Sequence, residues 1–179
     1  MDIGAVEIQQ ATILNVTSTT PNGVYGIGAT INVTVNFSSP VSLSGGTLTV
    51  TLDSGGTVVF SPGPSTTSQT SFSGTYLVAT GQNSLDLNST SLTLAAGASI
   101  SGLVSLAIPA GQSLKDSKAI VVDTTPPTVT ISPPSATSAS SGPITYTVTY
   151  GDPNFASSSL VPANITLNTT GTVTGTVGV

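Results

Sequence analysis

The nine residues ATINVTVNF, Ala29 to Phe37, put Ile31, Val33, Val35 and Phe37 at alternate positions and Asn32, Thr34 and Asn36 between them. A β-strand sends successive side chains to opposite faces, so only a strand gathers those four apolar groups on one side. The alternation returns in TLTVTLD, with Leu48, Val50 and Leu52, and in ITYTVTY, with Ile144, Tyr146, Val148 and Tyr150. Less regular runs at 13–17, 57–61, 72–78, 92–94, 100–107, 119–122, 128–131, 165–167 and 172–179 read as further strands. Between them stand TTPNG, LDSGG, SPGPS, ATGQN, AAGAS and IPAGQ, whose Gly, Pro, Asn and Ser residues supply the backbone angles of turns. No run of ten or more residues carries a helical apolar stripe. The sequence therefore predicts an all-β fold of short antiparallel strands packed as a sandwich.

Composition narrows the chemistry. In 179 residues there are seven acidic side chains, two lysines, and no arginine, histidine, cysteine or tryptophan. Two cations cannot neutralise a run of phosphates, which argues against nucleic acid as a partner. Without His or Cys the chain lacks the commonest general base, the thiol nucleophile and the usual zinc ligands. About a third of the residues are Ser or Thr, a composition associated with exposed strands of proteins outside the cytosol. No apolar window is long enough to span a membrane. The start MDIGAVEIQQ has neither the basic nor the apolar region of a secretory signal.

Two thirds of the way along, AIVVDTTPPTVTISPP places Asp123-Thr124-Thr125-Pro126-Pro127 between two strand-like runs. Two prolines cannot donate to a ladder and hold the preceding residue extended, so the strand ending near Val122 stops there. The expected organisation is a complete sandwich over 1–123, followed by a second unit, 124–179, with only about four strands. Tyr25, Gly28 and Ile31, in NGVYGIGATINVTVNFSSPV, then GGTLTVTL, then KAIVVDTTPPTVTI, resemble the tandem bacterial immunoglobulin-like repeats of large cell-surface and secreted proteins. The resemblance implies an immunoglobulin-like sandwich followed by a partial second repeat, an extracellular or cell-surface location, and neighbouring repeats or identical subunits as partners. Ala29 stands where that family often carries an acidic residue, which removes a ligand from any calcium site at this turn.

Candidate sites are few. Hard oxygen ligands are the ones this chain can supply, so calcium is the metal it suits. Asp123 at the joint, with Asp152 and Asn154 of GDPNF or with Glu7, is the candidate set; a turn-capping role for Asp123 is the plainer reading. Six Asn-x-Ser/Thr triplets begin at Asn15, Asn32, Asn36, Asn88, Asn164 and Asn168. Asn32 and Asn36, on the outward face of their strand, are the glycan candidates, against a background of accidental triplets. Gly26-Ile27-Gly28 reads as a turn instead of a phosphate loop, because a strand follows it. Asp53 and Asp86 read as turn residues. Lys115 and Lys118 in SLKDSK read as a solvated loop instead of a crosslinking site.

The expected function is that of a non-catalytic structural module that extends, spaces or assembles a surface protein or fibre, without a cofactor other than a possible calcium ion. Two alternatives have different signatures. A filament subunit would exchange strands, with TVTGTVGV as the donor; a carbohydrate- or protein-binding adhesin module would display aromatics such as Tyr25, Phe155 or Tyr76 on its loops. The alternation itself is testable. Val35→Asp would bury an unpaired charge and should remove several kcal/mol of stability, on the order of 3 or more, seen as loss of a cooperative transition in circular dichroism.

Overall fold

A computed structural model describes residues 10–63, 68–140, 142–169, 171 and 174–179. Glu7 and the start of the 172–179 run lie outside the described residues. The chain divides into two compact units, 1–125 and 126–179.

The first unit contains β1 (Ile13–Thr17), β2 (Gly23–Tyr25), β3 (Thr30–Val41), β4 (Leu43–Ser44), β5 (Leu48–Leu52), β6 (Thr57–Phe60), β7 (Gln69–Leu77), β8 (Ser89–Leu94), β9 (Ser99–Ile100), a helical turn α1 (Leu114–Ser117) and β10 (Ile120–Val122). β3 lies between β1 and β7 in one antiparallel sheet, and β5 lies between β6 and β8 in another. The two alternating rows read from the sequence form the centre of the core. Ile31, Val33, Val35 and Phe37 of β3 and Leu48, Val50 and Leu52 of β5 are all buried, in one cluster with Val58, Phe60 and Tyr76.

The sheets face each other in a sandwich-like arrangement. Phe72 of β7 meets Phe37 edge-on at 5.0 Å between ring centroids and Phe60 of β6 at 6.3 Å, so one ring joins both layers. Gly74 of β7 is a point of close approach: a Cβ there would lie 2.7 Å from Val58 Cγ1 and 3.0 Å from the Phe60 ring. The absence of a side chain at Gly74 is what lets the layers close.

Several sequence expectations are corrected. β10 runs parallel to β2, with Ile120 opposite Gly23 and Val122 opposite Tyr25. Alternation marks a strand but carries nothing about its neighbour's direction, which is why an entirely antiparallel arrangement was the natural expectation. The run at 100–107 is a strand only over Ser99–Ile100; past the turn at Ser101 and Gly102, Leu103 forms a single parallel bridge with Ala11, and Ser105 to Ala107 belong to no ladder. SLKDSK holds a helical turn with Leu114 fully buried, because Asp116 accepts the Ser113 backbone N–H at 2.8 Å and its hydroxyl at 2.6 Å. Ser113-x-x-Asp116 is the helix-start signal the sequence already held.

The second unit contains β11 (Thr128–Ile131), β12 (Val148–Gly151) and a single 3-10 turn at Pro162–Asn164. β11 and β12 pair antiparallel, Ile131 opposite Val148. Beyond Ile131 the pairing continues by other means. Pro133 and Pro134 have no N–H, and the hydroxyls of Ser132 and Ser135 accept the N–H groups of Thr147 and Thr145 at 2.9 Å. The segments 165–167 and 174–179 form no strand. Among the described residues of this unit none is buried: Ile131 is 66% exposed, Tyr146 60% and Leu167 51%. Each such large side chain left in water forgoes roughly 1.5–3 kcal/mol of burial.

Gly74→Val would force a branched side chain against Val58 and Phe60. We expect a loss of about 1–3 kcal/mol in urea denaturation of the full chain, and an unchanged midpoint would show that the layers do not meet there.

Candidate functional site

Three places hold the chemistry of the first unit: the exit of the chain, the outer face of β3, and a channel beside β8.

At the exit, the odd and even residues of β10 bond in opposite directions. Gly23 N–H donates to Ala119 O at 3.1 Å and Asp123 N–H donates to Tyr25 O at 3.0 Å, on the β2 side. On the other side Ser84 and Val122 exchange two bonds of 2.8 Å, and Leu87 N–H donates to Ile120 O at 2.7 Å. The pinning continues past the strand. Asn83 Oδ1 accepts the N–H of Thr124 at 2.7 Å and its hydroxyl at 3.2 Å, while Thr124 Oγ1 accepts Gly81 N–H at 3.0 Å. Asp123 Oδ1 accepts the Thr125 N–H at 2.9 Å, the local turn geometry that Asp favours. The turn leading into β3 is held to the same edge. Ala29 N–H donates to Gly26 O at 3.1 Å, and Gly28 sits at φ +80°, a conformation that suits Gly alone.

The candidate calcium ligands are placed as follows. Asp123 belongs to the first unit and is half-buried in the turn just described. Asp152 and Asn154 belong to the second, where Asp152 Oδ1 accepts the Asn154 N–H at 2.6 Å. Among the described residues there is no group of three or more acidic side chains that could hold a metal ion.

On the outer face of β3, Asn32 and Asn36 are half-buried and hydrogen-bonded. Asn32 Nδ2 donates to Ser73 Oγ at 2.8 Å, and its Oδ1 accepts from Thr19 N–H and the Thr34 hydroxyl, both at 3.1 Å. Asn36 Nδ2 donates to Asn15 Oδ1 at 2.7 Å. A glycan on either nitrogen would first break these bonds. Lys118, weighed above as a crosslinking residue, donates its ammonium to Thr20 O at 2.9 Å.

Aromatic placement differs from expectation. Tyr76 is 1% exposed, its hydroxyl donating to Gln82 Oε1 at 2.8 Å and lying 3.0 Å from Ser54 Oγ, so it offers no surface to a ligand. Its inward position on β7, two residues beyond Gly74, was readable from the period of two. In the second unit Tyr150 and Phe155 stack at 4.6 Å between centroids, a pair that sequence reading missed because a turn at Pro153 brings them together.

The channel lies between β8 and the extended segment after β9. One stretch of about 610 Å³ is lined by Ser89–Leu92 on one wall and Leu106–Gly111 on the other, with Asp116 at its end. A second stretch of about 290 Å³ continues it past Leu94, Ile100 and Leu103–Leu106. The two bonds from Ser113 hold the Asp116 carboxyl below the usual carboxylate range, so it stays ionised.

No family model, curated protein or solved structure matches this chain. Among the described residues no helix is long and apolar enough to cross a membrane.

Two outcomes follow. Asn83→Ala should speed amide exchange at Thr124 about two- to twelvefold, through loss of a bond of about 0.5–1.5 kcal/mol, while Ile120 stays protected; equal exchange would remove Asn83 from the exit. The Asp116 interaction with Ser113 is fully present above the unfolded Asp pKa and lost as pH falls through the lowered folded value. Ser113→Ala should therefore return the Asp116 titration, followed by NMR, toward the ordinary carboxylate range.

Proposed function

We propose that this chain is a non-catalytic structural module, an immunoglobulin-like unit with part of a second, that extends or spaces an extracellular or cell-surface protein. The observation that carries the reading is the parallel pairing of β2 with β10. Tension entering from the N-terminal side and leaving after Thr125 pulls β2 and β10 in opposite directions along their own axes. All their mutual hydrogen bonds then share the stress together, whereas a hairpin pulled at its open end loses them singly. The pinned Asp123-Thr124-Thr125 and the two prolines beyond pass that tension on through a stiff exit. Few ionisable groups and no His or Cys support a role without catalysis.

A second reading, a binding module for carbohydrate or protein, is favoured by the Tyr150–Phe155 stack and by the exposed Tyr146 four residues before Tyr150 in the chain. Calcium at the joint and glycans on the Asn residues remain additions to either reading.

Single-molecule stretching of the full chain between its ends tests the first reading. A distinct rupture of the first unit is expected, moved to lower force by Val121→Pro, which deletes an N–H in the middle of β10. Extension without a resolvable rupture would count against a tension-bearing module. For the second reading, a change in Tyr fluorescence on adding soluble polysaccharide, lost in Tyr146→Ala, is the corresponding measurement.

A further inference from the structure

The channel beside β8 runs along an open sheet edge. In the β5–β8 ladder, Ala95 N–H donates to Thr47 O. With Thr49 opposite Thr93 and Val50 opposite Leu92, bonding pairs recur every second residue, so Thr93 and Ser91 bond to β5. The other face of β5 agrees: Leu52 N–H donates to Gly56 O, which assigns Leu48 and Val50 to β6. The N–H and C=O groups of Leu92 and Leu94 therefore aim away from β5, into the channel. β8 ends its sheet, and among the described residues nothing pairs with these groups. Leu92 belongs to the buried core cluster and also lines the channel.

The opposite wall repeats the pattern. Leu106 and Ile108 alternate as in a strand yet lie outside any ladder, beyond the point where Leu103 bridges Ala11 and Val104 N–H donates to Ala11 O. Leu92, Leu106 and Ile108 supply the apolar part of a lining that also includes Ser89, Thr90, Ser91 and Asp116. Unpaired main chain on both sides of a slot is what an added extended strand requires.

We propose that this channel receives the segment Ile165–Thr169 of a second copy of this chain. That segment is its complement in three respects. It lies outside any sheet, and its first residue, Ile165, is extended at φ −113° and ψ 121°; its apolar residues, Ile165 and Leu167, alternate with Thr166 and Asn168 and are 41% and 51% exposed; and it carries no charge to meet the ionised Asp116. At about 3.3 Å per residue its five residues span nearly the length of the six-residue β8. The choice of occupant rests on the reading of this chain as a module that assembles; the channel itself does not. Such a contact is head-to-tail, so it propagates.

The test uses full-length chains in light scattering with amide exchange at Leu92 and Leu94. Wild type should grow beyond a dimer with concentration, and these two amides should slow about tenfold or more as it does. Ile165→Asp with Leu167→Asp, changes at exposed positions, should give monomers with an unchanged circular dichroism spectrum. Ala107→Trp, which fills the channel, should also give monomers. Mixing the two variants should restore dimers and nothing larger, because one supplies an intact channel and the other an intact strand. A synthetic peptide of residues 163–169 should return wild type to monomers. Wild type that stays monomeric with fast amides overturns the proposal and leaves the stretching result standing. Monomers with slow amides overturn it in favour of an occupant within the same chain, and assembly that persists in both variants overturns it in favour of another surface.

Discussion

Everything in the first unit depends on the contact between two apolar rows, Ile31-Val33-Val35-Phe37 on β3 and Leu48-Val50-Leu52 on β5. A period of two allows each strand a single register, because a slip of one residue would turn every one of these side chains into water. Once the rows are buried, their flanking strands follow: β1 and β7 must lie beside β3, and β6 and β8 beside β5. Gly74 then sets how near the layers come, and Phe72 fills what remains between them.

The second unit shows what happens when that condition is unmet. Its strands have the same alternation, but one two-stranded ladder cannot enclose its own apolar face, and an isolated pair is marginal in water. Serine hydroxyls carry the pairing past Pro133 and Pro134, so the backbone is satisfied while side chains stay wet. Main-chain bonding and core formation are separable here, and only the first unit has both.

Legibility followed the same division. β3 and β5 were readable because four and three consecutive alternations leave no other structure open to them. The stop of β10 at Val122 was readable from Pro126 and Pro127, whose chemistry is local. What could not be read was relational. Nothing in IVV says that it will lie parallel to Gly23–Tyr25, and nothing in LVSLAIPA says that its pairing will end after one bridge to Ala11. The candidate ligands Asp123, Asp152 and Asn154 were chosen as residue types, and each has an N–H donor two residues on, or supplies one, that the sequence alone does not reveal. Tyr76 was weighed as a surface residue by its neighbours in the chain, whereas its strand parity made it core.

The outer face of β3 has its own consequence. Asn32, Thr34 and Ser73 bond to one another there and Asn36 bonds to Asn15, amide to hydroxyl, hydroxyl to hydroxyl and amide to amide, without one ionisable group in either set. Salt weakens attraction between charges by screening it, and acid acts by protonating carboxylates that folding has paired. This lattice gives neither agent anything to work on. Brine and mild acid should leave the face as it stands, so its shape and hydration are constant across media that would remodel a surface held by ion pairs.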